Sequence, residues 1–224
     1  MKPIFEGEII DVVCVENGLV ISYILEKEDT KITVAYKMVT FDNGKIINVQ
    51  KSMYELSKFG ASFKAVEAKI KNHLSCKAVL LPNGKLFILE KDGSAKLLDS
   101  DAEEIWTGSL IYRGSAPSGI AINNRCVWSC FKEKSVLMRM NLLTMREELR
   151  IGGGNSSPFK SPIDLFADGD DIYVCNADSN EILKVNTNSY VTEQYRQFDS
   201  KVLQYLRSGE YEFAVLENGV YLMD

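Results

Sequence analysis

Histidine and cysteine are sparse in this chain, and their spacing argues against the familiar catalytic and metal-binding combinations. The single histidine, His73, has Lys69 four residues before it and no carboxylate at helical spacing. Neither a Ser-His-Asp nor a Cys-His set can be placed around it. The five cysteines (Cys14, Cys76, Cys126, Cys130 and Cys175) are odd in number and include no CxxC pair. Cys126 and Cys130, four apart, would share one face of a strand. Such a pattern reads as buried, reduced thiols in place of a zinc site or a disulfide framework. Gly152-Gly153-Gly154-Asn155-Ser156-Ser157-Pro158 could turn successive N–H groups toward an anion. It lacks the strand-then-helix setting of a phosphate loop and reads as a slack connection. No catalytic residue, no metal and no cofactor is expected from these groups.

The elements that would position any site come from an internal repeat. Displaced by 45 residues without a gap, residues 116–150 lie over 161–195. Pro117 falls on Pro162, Cys130 on Cys175, Asn141 on Asn186 and Glu148 on Glu193. Val127-Trp128-Ser129-Cys130 falls on Ile172-Tyr173-Val174-Cys175. A period of about 40–45 residues built from strand-like runs is the mark of a β-propeller blade. Turn pairs punctuate the runs: Asn17-Gly18, Asn43-Gly44, Asn83-Gly84, Asp92-Gly93, Asp168-Gly169 and Asn218-Gly219. Such pairs accept the positive φ of tight hairpins.

The runs group into five blades. Blade one reads as 9–15, 19–25, 32–41 and 45–50; blade two as 76–81, 85–89, 95–98 and 104–112. Blade three reads as 119–122, 126–131, 136–141 and 147–151; blade four as 163–166, 171–175, 182–185 and 191–198. The last group, 202–206, 211–216 and 220–223, is one strand short. An open sheet edge invites aggregation, so Pro3–Glu8 is expected to supply the missing outer strand and close the ring. Between blades one and two, Phe63, Val66, Ile70 and Leu74 fall at helical spacing with Ser62 as a cap. An insertion over roughly 52–74, helical in part, with a frayed outer strand as the alternative, is therefore expected within a single all-β domain, a five-bladed β-propeller spanning 1–224.

Ala116-Pro117-Ser118-Gly119-Ile120-Ala121-Ile122 and the run from Ser161 to Val174 resemble the NHL-type blade, a pattern shared by gluconolactonase-like propellers. In that family a Pro-x-Gly-hydrophobic-Ala motif opens the inner strand. The resemblance implies a ligand face made from the first residues of each inner strand and from the loops between second and third strands. Those positions here are Asp11, Lys77, Ser118, Asp164 and Gln204, with Asn176 and Asp178 from a loop. Further loops carry Glu90-Lys91-Asp92 and Lys132-Glu133-Lys134. The family's cation site would use Asp164, but Ser118-Gly119 stands where an asparagine is wanted. The carboxylate set of a five-bladed glycosidase would use Asp11 and is broken at Lys77 and Ser118.

The leading reading is a non-enzymatic scaffold that binds a small polar ligand or a protein partner at this mouth. A metal-dependent hydrolase of lactonase or glycosidase type is the alternative, and a lectin-like carbohydrate binder the third. With a net charge of −5 and a pI near 5.2, neither nucleic acid nor an anionic membrane is an expected partner. The N-terminus lacks the apolar run of a signal peptide, so a cytoplasmic monomer is expected. Trp128 and Tyr173 share one repeat position and read as core; Trp106 has no counterpart and could mark either a local core or a partner surface.

Overall fold

The computed structural model describes residues 1–15, 18–28, 31–42, 45–57, 77–81 and 83–223. These residues form twenty strands in five four-stranded antiparallel sheets, the blades of a five-bladed β-propeller. The first blade is β2 (Glu8–Val15), β3 (Gly18–Lys27), β4 (Lys31–Asp42) and β5 (Lys45–Ser57). The second is β6 (Lys77–Leu80), β7 (Leu86–Leu89), β8 (Ser94–Leu98) and β9 (Glu104–Ser109). The third is β10 (Gly119–Asn123), β11 (Cys126–Phe131), β12 (Val136–Asn141) and β13 (Arg146–Gly152). The fourth is β14 (Pro162–Asp168), β15 (Asp171–Asn176), β16 (Glu181–Asn186) and β17 (Thr192–Gln197). The fifth joins β18 (Val202–Ser208), β19 (Tyr211–Leu216) and β20 (Gly219–Leu222) to β1 (Lys2–Glu6). By contact, the chain divides into two compact units: Met1–Leu74 with Leu206–Asp224, and Ser75–Tyr205.

In the first unit, β1 pairs antiparallel with β20, Lys2 opposite Leu222 and Glu6 opposite Gly219. The N-terminal segment thus completes the last blade, ending at Glu6, while Glu8 already belongs to β2. Gly219 makes that pairing possible for a reason its turn-like neighbour Asn218 does not suggest. A Cβ on Gly219 would stand 2.3 Å from the Phe5 carbonyl oxygen, well inside contact distance. Phe5 packs against Tyr23 at 4.4 Å with the rings tilted by 49°, and Lys37 Nζ donates to the Ile4 carbonyl at 3.4 Å, which holds β1 over the first blade. That blade is longer than expected. Lys31 pairs with Ser57, so β5 continues through the stretch from residue 52 that the sequence assigns to an insertion. No Gly, Pro, Asn or Asp interrupts Lys51–Ser57, and a twelve-residue β4 beside it offers a ladder to that length. The helical reading of the remainder, with His73 and Cys76, lies outside the described residues.

The second unit carries the repeat into three dimensions. β11 and β15, and β12 and β16, are displaced by the same 45 residues end to end. Side-chain devices repeat with them. Asn141 Oδ1 accepts the Leu143 and Thr144 amides, and Asn186 Oδ1 accepts those of Asn188 and Ser189. Arg139 pairs with Glu148 at 3.1 Å and Lys184 with Glu193 at 2.6 Å. Met145 and Tyr190 both close their turns at left-handed φ.

The middle strands β11 and β15 have no wet face. Val127 on β11 packs with Phe87, Leu97 and Met140 toward the second blade. Its neighbour Trp128 packs with Leu165, Ile172 and Val174 toward the fourth. Each such fully buried side chain contributes about 1.5–3 kcal/mol, and together they explain the unbroken apolar runs of these strands. Trp128 is 1% exposed and serves the core. Trp106 is half-buried and stacked on Phe87 at 6.4 Å, with its ring lying over Gly108, so it anchors its own blade.

Candidate functional site

A cavity of about 450 Å³ opens between the second and third blades, where β7 ends and β10 begins. Glu90 and Lys91 form one wall, Ser115, Pro117 and Ser118 the second, and Lys132 and Glu133 the third, over Leu89. Each wall is held by local chemistry. The Glu90–Gly93 turn closes with Gly93 N–H donating to the Glu90 carbonyl at 3.0 Å. Asp92 accepts from the Ser94 amide at 2.8 Å and from its hydroxyl. Those bonds hold the Asp92 carboxyl below its ordinary range and commit it to the turn. The second wall is a tight loop in which Tyr112 and Ser115 exchange both backbone hydrogen bonds at 3.0 Å. Tyr112 anchors the loop against Phe131 at 5.6 Å, with the Arg113 and Arg150 guanidinium groups over its ring. The third wall is a single 3-10 turn, Lys132–Lys134, ended by Ser135 at φ 50°. Ser115 Oγ donates to Glu133 Oε2 at 3.5 Å and joins the last two walls.

Two lysines, two glutamates and two serines around one opening make a surface with no dominant sign of charge. It can hydrogen-bond and can face both ends of a zwitterion. Among the described residues no three His, Cys, Asp or Glu side chains gather as metal ligands.

The residues singled out from the sequence fare differently. Ser118 lines the cavity. Its hydroxyl donates to the Pro162 carbonyl at 2.7 Å, with the Cys130 carbonyl at 3.1 Å also in reach, so it ties the third blade to the fourth. Lys77 begins β6 opposite Leu89, which places its backbone beside the cavity floor. Asp164 is 6% exposed and lies against Gly119: a Cβ there would stand 2.6 Å from Asp164 Cα and 3.0 Å from Oδ1. Gly119 pairs with Cys130 as Asp164 pairs with Cys175, so the repeat counterpart of Asp164 is Gly119 and not Ser118. A register shift between Pro162 and Asp164 displaces the two strand openings by one residue.

Asn176 is fully buried, donating to the Pro158 carbonyl at 3.1 Å and to Glu181 Oε1 at 3.4 Å. Its counterpart is Phe131, so it occupies a core position. Asp178 is exposed on the 3-10 turn Ala177–Ser179. Gln204 is half-buried on β18. Asp11, in the first unit, is half-buried and accepts the Val12 amide at 3.0 Å. The second unit thus brings Ser118 together with the two charged loops, adds Ser115, and diverts Asn176 to structure. Ser115 gave no signal of its own, since the loop that presents it depends on Tyr112 turning back on itself.

The glycine-rich stretch is pinned and not slack. Gly153 N–H and Ser157 Oγ both donate to the Ser135 carbonyl, at 3.0 and 2.7 Å. Among the described residues, Cys14, Cys126, Cys130 and Cys175 form no disulfide.

Comparison with solved structures shows the fold. The chain resembles a streptogramin B lyase (12% identity, TM-score 0.53, 97% of this chain and 72% of that one). It also resembles virginiamycin B lyase from Staphylococcus aureus (15%, 0.52, 91% and 72%). A third likeness is Saccharomyces cerevisiae Sqt1 (10%, 0.54, 96% and 71%). At these identities the likeness extends to the β-propeller alone. No family model and no curated protein matches the sequence.

Proposed function

We propose that this protein is a binding scaffold that holds a small zwitterionic or hydrogen-bonding ligand, or a polar loop of a protein partner, without chemistry. The cavity between the second and third blades is the observation that carries this reading. Its walls offer Lys91 and Lys132 beside Glu90 and Glu133, with serine hydroxyls between them. An enzyme would need an acid–base pair poised at a reacting atom or an open metal position. Here Asp92 is spent on its turn and Ser118 on an interblade bond. On the sequence-derived face, Asp178 and Gln204 would extend the same recognition surface within the second unit. The opening pattern of β10 and β14 supports grouping the chain with NHL-type, gluconolactonase-like propellers. A monomer working in the cytoplasm is part of the proposal. Among the described residues, no helix is long and apolar enough to cross a membrane.

Calorimetric titration of calcium, magnesium, manganese and zinc, followed by assays of lactones and aryl glycosides with each metal, tests the reading. The scaffold predicts neither tight metal binding nor turnover. Micromolar metal binding that disappears in Asp164→Ala, together with turnover, would promote the hydrolase.

A further inference from the structure

At the opposite end of the same two blades lies a second cavity, of about 580 Å³. It falls in the size range of small-ligand sites, roughly 300–1,000 Å³. Its floor is Leu81 and Ile122, both packed on the apolar cluster shared by the two blades. Its rim is polar: Asn83, Asn124 and Arg125.

Arg125 is set there at a cost. Asn124 and Arg125 form the two-residue turn between β10 and β11, at φ 46° and 66°. Asparagine tolerates that left-handed region and arginine does so poorly. Three other blades choose differently at this turn. The second uses Asn83-Gly84, the fourth Gly169-Asp170 and the fifth Gly209-Glu210, each with a glycine at left-handed φ. Only the third blade's turn, among these, holds a cation, and it holds it over an apolar floor. The backbone is fixed by Leu142 N–H donating to the Arg125 carbonyl at 2.9 Å. Asn124 Nδ2 donates to Asp170 Oδ1 at 3.4 Å, which occupies the neighbouring acid. Among the described residues, no carboxylate forms an ion pair with Arg125. Among the described residues, Asn124 and Arg125 are the one adjacent pair of non-glycine residues at positive φ, and backbone strain at a cavity rim is a pointer to function.

We propose that this cavity binds a carboxylate carried on an apolar body, with the Arg125 fork on the carboxylate and Leu81 and Ile122 under the apolar part. A planar guanidinium matches two carboxylate oxygens at once. One cation among neutral amides suits a single negative charge better than a phosphate dianion. Two sources share this chemistry: a free aliphatic acid and the C-terminal residue of a polypeptide. The site is independent of the cavity at the other end of these blades.

The full chain would be titrated by calorimetry with acetate, hexanoate, octanoate and octanamide, and with a short peptide ending in leucine as free acid and as its amidated twin. Affinity should rise from acetate to octanoate, and both amides should bind at least about tenfold more weakly than their acids. Binding of octanoate alone assigns a free acid; binding of the peptide acid, alone or as well, assigns a chain terminus. Arg125→Gly should abolish binding while raising the thermal midpoint, because glycine relieves the left-handed turn; loss of ligand then cannot be loss of fold. Failure of every acid to bind, equal binding of the amides, no gain with chain length, or unchanged affinity in Arg125→Gly would each overturn the proposal.

Discussion

Asp164 is buried against a backbone that has no side chain to push it away. Gly119 is required by that approach, since its φ is ordinary and only the space above it is lacking. Gly119→Ala should therefore cost about 1–3 kcal/mol through overpacking. The expected readout is a lower urea midpoint at unchanged m-value, and an unshifted midpoint would mean the two strands do not meet as described. Cys14 gives a second test at this scale. Burial pushes its thiol from 9.0 up to about 11, against the smaller opposing effect of a backbone hydrogen bond at Arg207. A raised thiol pKa means the folded state holds the proton more tightly. Its stabilising contribution is present below pH 9 and is lost as pH rises through about 11. Site-resolved alkylation of the native chain should keep accelerating past about pH 10, whereas the unfolded chain levels off about one unit above its thiol value of 9.0; a native plateau at about pH 10 would contradict the burial.

At the scale of elements, the edge strand β1 decides how the last blade ends. Without it, β20 would present an unpaired edge. Removing residues 1–6 should lower the thermal midpoint and promote association seen by light scattering. Gly219→Ala should do part of the same by forcing Phe5 outward. Unchanged melting and an unchanged monodisperse species in both variants would show that β1 contributes nothing there. Much of this element-level organisation was legible beforehand. Turn pairs and apolar runs placed the strands of blades three and four to within one or two residues at most ends, because the apolar runs repeat at the same displacement and break at polar turns. The misses have physical causes. β5 runs on to Ser57 because its stop depends on the length of β4 and not on a residue of its own. β9 stops at Ser109 because Tyr112 is recruited into a turn with Ser115. Asn176 stands at the loop position that the resemblance gives to the ligand face; it is fully buried, and its repeat partner Phe131 is fully buried as well.

For the whole molecule, a charge of −5 spread over a propeller leaves recognition to local constellations. Both cavities described here sit within the second unit, between the same two blades, one mixed in charge and one cationic over apolar residues. The charged loops of the first were visible as sequence; their convergence was not, because it depends on the loop from Leu110 to Ser118 folding back over Phe131. The central claim is that this convergence binds a zwitterion without chemistry. Its most direct test is amide chemical-shift mapping of the 15N-labelled chain during titration with unmodified dipeptides, repeated on Lys91→Glu and Lys132→Glu. Saturable shifts at Glu90, Lys91, Ser115 and Lys132, weakened about tenfold or more in either variant, with the dipeptides recovered intact, are the predicted result. No localised shifts at these residues, or consumption of the ligand during the titration, would contradict the account.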